Sequence, residues 1–285
     1  MITRKVNNLK SKHLDISKIE RKQLSIQFSL DGFSFSIFDM DLLEFIVFDK
    51  YEFNIVNNNP KELLSIIKKI FVENSFLSLK FEKVLVVHQN NLSSFVPFPI
   101  FDEDNLETYI KFNNKIYNTD FIVYDYVVNQ DMVSVFVPYV NINNFLIDQY
   151  GSFEYKHYSS ILVENLLNNY SSKNKNHFFV NLSKNNFEII VSNNKKLLLY
   201  NTFEYKTIED LLYYILFTFD QLNLNVEEVE VELLGSVNLD SNFYNTLYEY
   251  VRNITLLGYN SNYKSILEID NTIQRENFCL FNTID

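Results

Sequence analysis

A two-strand pattern near the start of the chain recurs 154 positions later, and this repetition limits the possible folds more than any other feature. Ile26, Phe28 and Leu30 alternate with Ser25, Gln27 and Ser29. After Asp31-Gly32, the residues Phe33, Phe35 and Ile37 alternate with Ser34 and Ser36. Period two puts the apolar residues on one face of a strand. Asp-Gly between two such runs predicts a hairpin closed by a type I′ turn, whose central residues need positive φ. Further along, Val180, Leu182, Phe187, Ile189 and Val191 repeat the pattern. Ile26 and Val180, Phe33 and Phe187, and Ile37 and Val191 are each 154 positions apart. The same offset carries Asp31-Gly32 onto Asn185-Asn186, a pair that also tolerates positive φ. It carries Leu43, Phe45 and Tyr51 onto Leu197, Leu199 and Tyr205. Residues 24–53 and 178–205 are therefore expected to form two separate three-stranded antiparallel sheets, with Phe33 corresponding to Phe187.

The elements that follow each hairpin repeat as well. Pro60 opens a helix in which Leu63, Leu64, Ile66, Ile67, Ile70 and Phe71 fall at helical spacing. A short apolar strand, Val84–Val87, comes next, then a helix capped by Asp102. Strands are expected near 121–128 and 133–137, and helices near 142–149 and 160–170. The stretch Ser171-Ser172-Lys173-Asn174-Lys175-Asn176 has no apolar residue and reads as a linker. The second unit continues with a helix over 208–221, a strand over 229–234, a helix over 240–252 and a last strand over 254–257. The chain reads as a duplicated α/β fold, with halves at 1–172 and 173–285.

Composition narrows the function. The net charge is −11, and a nucleic-acid binder normally carries a basic surplus. Lys68-Lys69 and Lys195-Lys196 read as solvated pairs. Only four glycines occur among 285 residues, too few for most backbone-cradled phosphate sites. Cys279 is the one cysteine, which rules out an intrachain disulfide or a cysteine-built zinc site. Set between Phe278 and Leu280, it reads as a small buried hydrophobe. The polar stretch from Met1 to Gln23 does not look like a signal peptide, and no apolar run is long enough for a membrane helix. A cytoplasmic location is expected.

Few residues suggest chemistry. His13, His88, His157 and His177 show no metal-ligand spacing. His88 ends a strand, where open sheets place ligand groups, although a polar loop is common there too. Glu228, Glu230 and Glu232 alternate with Val229, Val231 and Leu233, which would put three carboxylates on one sheet face. That face could hold a hard cation, but solvation or pairing with lysines is the simpler reading. Serine-nucleophile, dinucleotide and Walker patterns are absent. No catalytic, cofactor-binding or metal-binding residue is assigned.

The doubled unit resembles the actin-like ATPase superfamily, whose halves have a ribonuclease H-like sheet. The run from Leu24 to Phe35, with Val96-Pro97-Phe98-Pro99, Asp102 to Tyr109 and Asn141 to Phe145, resembles the uncharacterised bacterial family DUF3822 over roughly residues 24–260. That likeness implies an actin-like fold and no activity. Active members of the superfamily hold Mg-ATP between the halves with an Asp-x-Gly-Thr-like pattern in each first hairpin. Here Gln27 and Ser29 take the Asp and Gly positions of the first hairpin, and Asn181 and Ser183 those of the second. Of the double glycine that packs under adenosine, only Gly235 remains, in Leu233-Leu234-Gly235-Ser236. These departures imply a non-catalytic protein, without a cofactor, that binds an unknown protein partner or associates with itself. The alternative is a divergent nucleotide-binding ATPase or kinase that uses the cleft between halves.

Overall fold

A computed structural model describes residues 4–10, 21–53, 59–258, 264–265 and 269–284. His13 lies outside them. The elements in chain order are β1 (Arg4–Lys10), β2 (Lys22–Phe28), β3 (Gly32–Asp39), β4 (Glu44–Glu52), α1 (Pro60–Glu73) and β5 (Lys83–His88). They continue with β6 (Ser93–Pro97), α2 (Leu106–Lys111), β7 (Val123–Tyr126), β8 (Met132–Phe136), α3 (Val140–Tyr150), β9 (Glu154–His157) and α4 (Tyr158–Asn165). Then come β10 (Asn176–Leu182), β11 (Asn186–Asn193), β12 (Lys196–Glu204), α5 (Ile208–Gln221), β13 (Glu230–Gly235) and α6 (Asn242–Tyr248). β14 (Ile254–Leu256), β15 (Lys264–Ser265), α7 (Asn271–Glu276) and α8 (Phe278–Phe281) complete the described chain.

The expected hairpins form two distinct sheets. One has the order β1-β4-β3-β2-β5-β9, with β15 also paired to β4, and the other β12-β11-β10-β13-β14. Without β1 and β15, each sheet has three antiparallel strands followed by two parallel ones. The pairs Phe28↔Phe33 and Leu182↔Phe187 occupy the same place in each hairpin. Both hairpins close alike, from Ser29 N to Gly32 O and from Ser183 N to Asn186 O, each at 2.9 Å.

Two details of the hairpin sheets differ from the sequence expectation. Asp31-Gly32 is not a type I′ turn, because neither residue has positive φ, and Asn185-Asn186 in the second hairpin has none either. Gly32 is needed for space instead: a Cβ there would lie 3.0 Å from Tyr51 O. The third strands are related by 152 residues, not 154. Tyr51 pairs with Phe33 and Phe203 with Phe187, so Tyr51 corresponds to Phe203 and not to Tyr205. Four residues join β3 to β4, whereas Asn194-Lys195, both at positive φ, join β11 to β12.

Helices cover the sheets for ordinary reasons. Asn59 caps α1 by accepting from Lys61 N, Pro60 opens its first turn, and Leu63, Ile66, Ile67, Ile70 and Phe71 are buried. Thr207 and Asp210 form a capping box at the start of α5. Between β5 and α3 the first half carries an inserted three-stranded sheet, β6-β8-β7. Asp102 caps the 3₁₀ turn that leads into α2. The C-terminal segment returns to the first sheet. Phe281 packs on Phe45 and Phe48, Gln23 Nε2 donates to Thr283 O (3.0 Å), and β15 pairs with β4. A central cluster that includes Ile161, Leu162, Leu166, Phe179, Ile190 and Phe278 joins α4 and α8 to the second sheet. No helix among the described residues is long and apolar enough to cross a membrane.

Candidate functional site

A cleft of about 1590 Å³ opens between the halves, with both first hairpins on its walls. It is lined by Gln27, Ser29, Asn181, Ser183 and Gly235, the five residues singled out from the sequence. The structure thus brings them together, and the strand order explains how. β2 and β5 run parallel, as do β10 and β13, so their C-terminal ends open onto the same space.

The two amide side chains at the hairpin positions donate within the protein, although Gln27 Oε1 is buried without a partner. Gln27 Nε2 donates to Gln89 Oε1 (2.9 Å). Asn181, 3% exposed, donates from Nδ2 to Tyr158 Oη (2.6 Å) and Glu188 Oε2 (2.9 Å). Tyr205 Oη donates to Ser183 O at 2.7 Å and braces the second hairpin loop. Gly235 has φ +83°, and a Cβ on it would meet Leu182 O at 2.1 Å and Asn181 Oδ1 at 2.8 Å. Glycine is obligatory here because no side chain fits between β13 and the end of β10.

Sequence reasoning missed Glu188. It lies across the ladder from Asn181, is 4% exposed and lines the cleft. Burial pushes its carboxyl up to about 7, against the hydrogen bond from Asn181, which favours the charged form. Its twin in the first half, 154 residues earlier, is Ser34. The only sequence signal was an acidic residue between Phe187 and the apolar run Ile189-Ile190-Val191. Around the cleft, seven carboxylates face four lysines, so its walls carry an acidic excess.

The other sequence candidates are structural. His88 is fully buried: its Nδ1 accepts from Tyr139 N (3.1 Å), so Nε2 carries the proton and donates to Asn143 Oδ1 (2.9 Å). Burial lowers it to about 4. It is a neutral, satisfied core histidine and not a loop ligand. His157 caps α4 through Nδ1, which accepts from Ser159 N, and burial lowers it to about 3. The three-glutamate face does not form. Glu228 sits in a turn before β13, bonded to Asn225. Glu230 pairs with Lys175 (2.6 Å), and Glu232 lies 3.4 Å from His177. No group of three or more metal-ligating side chains occurs among the described residues. Cys279 is buried, and burial raises its thiol well above the ordinary value.

The sequence profile described as "Protein of unknown function (DUF3822)" matches residues 11–254. No curated protein is a significant match. Among solved structures, a Bacteroides thetaiotaomicron protein with actin-like ATPase fold and unknown function is similar at 24% identity and a TM-score of 0.76. That match covers 86% of this chain and 93% of the other. The PilM–PilN type IV pilus biogenesis complex is similar at 11% identity and a TM-score of 0.57, over 91% of this chain and 97% of that one. The fold is that of actin-like ATPases, and the chain belongs to the DUF3822 family.

Proposed function

We propose that this DUF3822 protein is a non-catalytic binding protein, which uses an actin-like scaffold to hold another macromolecule. The observation that carries the reading is the state of the two hairpins. Where nucleotide-binding members of the superfamily would orient Mg²⁺, Gln27 and Asn181 are neutral amides already hydrogen-bonded to Gln89, Tyr158 and Glu188. The Ser29 and Ser183 N–H groups are spent on Gly32 O and Asn186 O. The acidic excess on the walls opposes a triphosphate. The cleft, at about 1590 Å³, also exceeds the ~300–1,000 Å³ of ordinary small-molecule pockets. Similarity to the PilM–PilN type IV pilus biogenesis complex supports a role in protein assembly for this kind of fold.

One observation favours the second reading, a divergent nucleotide-binding protein. Glu188 returns a carboxylate to the cleft beside Asn181. Titration calorimetry with Mg-ATP, Mg-ADP and Mg-GTP up to millimolar concentration decides between the two. The expected result is no saturable heat. A micromolar, saturable heat that Ser183→Glu abolishes would overturn the proposal in favour of the second reading.

A further inference from the structure

The duplication supplies an internal control, since each half shows how the other's elements are covered. In the first half the outer strand β4 is not free. β1 pairs antiparallel along Val47–Glu52, and β15 pairs parallel at Glu44 and Phe45. The corresponding outer strand of the second half, β12, has no strand on its far side among the described residues. The 152-residue offset places the β1-covered stretch of β4 on Leu199–Glu204. That stretch, unpaired on its far side among the described residues, is therefore the counterpart of one that already accepts an antiparallel strand. Natural edges are usually protected by proline, charge or a bulge. From Leu197 to Phe203 there is no proline and no charge. The bulge at Leu198 has its counterpart at Ile46 in β4, and β4 pairs beyond it all the same.

A second departure from symmetry lies beside the first. An offset of 148 places Leu63, Ile67 and Phe71 of α1 on Leu211, Ile215 and Phe219 of α5, all buried. On the outer faces, however, Ser65 and Lys69 of α1 correspond to Tyr213 and Phe217 of α5. These are 61% and 47% exposed, with rings stacked 5.9 Å apart. Ring contacts from Phe203 to Tyr214 (4.4 Å) and from Tyr214 to Tyr213 (5.2 Å) join this aromatic ridge to β12. Open edge and exposed aromatics form one surface.

We propose that a second copy of this chain docks there, the two β12 strands pairing antiparallel about a two-fold axis. Antiparallel pairing sets the Lys196 end of one strand beside the Glu204 end of the other, so the strand is complementary in charge to itself. The neutral, largely apolar interior meets its own like, as an isologous interface requires. A strand added at about 4.8 Å beyond β12 brings both α5 helices toward the axis and covers Tyr213 and Phe217. This inference deepens the reading of the chain as a binding protein and rests on it only in naming a partner.

Sedimentation equilibrium of the full chain over micromolar concentrations tests it. The wild type is expected to sediment at twice the monomer mass. Tyr213→Ser with Phe217→Lys, which gives α5 the residues α1 carries, should weaken the dimer about tenfold or more. Thr202→Pro, which removes an N–H now bonded to Asn201 Oδ1 (2.9 Å), should do the same. Circular dichroism establishes that each variant is folded, and the helix-surface double variant decides alone if the proline variant is not. A wild type that stays monomeric throughout, or a dimer that the double variant leaves unchanged, overturns the proposal. Calorimetry reads the cleft and sedimentation reads the β12 edge, so failure of either idea is seen separately.

Discussion

Replacing Glu188 with Gln should leave the protein unchanged in acid and stabilise it above neutrality. In the folded chain the Glu188 carboxyl is pushed up to about 7 by burial, against an ordinary 4.5 in the unfolded chain. Between those values the folded state holds a proton that the unfolded state has lost, so stability falls as pH rises through this window. The loss is complete above about pH 7, and a separation of that size corresponds to about 3 kcal/mol. Gln cannot ionise, and its carbonyl can still accept from Asn181 Nδ2. The wild-type profile alone will not show the effect cleanly. Asp125, raised to about 6 by burial, adds a loss of the same sign between about pH 4 and 6. His88 and His157, lowered by burial to about 4 and 3, act oppositely: their neutral core forms cost stability as pH falls below about 6.5. Urea unfolding of wild type and Glu188→Gln at matched pH cancels those shared contributions. The difference should be near zero at pH 4 and grow to its full value by pH 8. A difference that does not vary with pH would refute the argument.

Gly235→Ala should destabilise the protein by at least ~4 kcal/mol or prevent folding, because positive φ and a Cβ 2.1 Å from Leu182 O act together. Gly32→Ala, at ordinary φ with a Cβ 3.0 Å from Tyr51 O, should cost clearly less, and equal losses in urea unfolding would contradict the reading of both sites. Glu230→Gln, which breaks an exposed pair with Lys175, should shift stability within about 0.5 kcal/mol, and a larger loss that follows removal of divalent ions would argue for a cation held there.

The core hairpins were legible because one face of each packs into the large apolar cluster under the helices, which imposes period two on Phe33, Phe35, Phe187 and Ile189, although the opposite face, with Ser34, Ser36, Phe179 and Ile190, is buried as well. The same periodicity concealed the slip from 154 to 152 in the third strand. An even shift keeps every side chain on its own face, so Tyr51 matches Tyr205 as well in sequence as it matches Phe203 in space. Asp31-Gly32 was misread because the glycine serves a close approach to Tyr51 O, while the positive-φ turn is Asn194-Lys195, without glycine. β1 was invisible: Arg4–Lys10 is polar and covers an edge through backbone hydrogen bonds, which need no apolar alternation. Glu188 was hidden among apolar neighbours, and only the ladder to Asn181 reveals its place in the cleft.

Two halves under the same packing constraints separate what the fold requires from what it does not. Phe33 and Phe187, Leu63 and Leu211, and the hairpin closures at Ser29 and Ser183 are shared, and each serves packing or backbone pairing in its half. Glu188 opposite Ser34, Tyr213 opposite Ser65, and Phe217 opposite Lys69 are unshared. Each places a chemically costly group in the second half where the first shows that the fold is stable without it: a buried carboxyl in one case, exposed aromatic rings in the others. The paired amides Gln27 and Asn181 are shared, so the neutral residue at the hairpin position belongs to both halves alike. The asymmetry of the second half, not the symmetry of the cleft, is where selection for binding is to be sought.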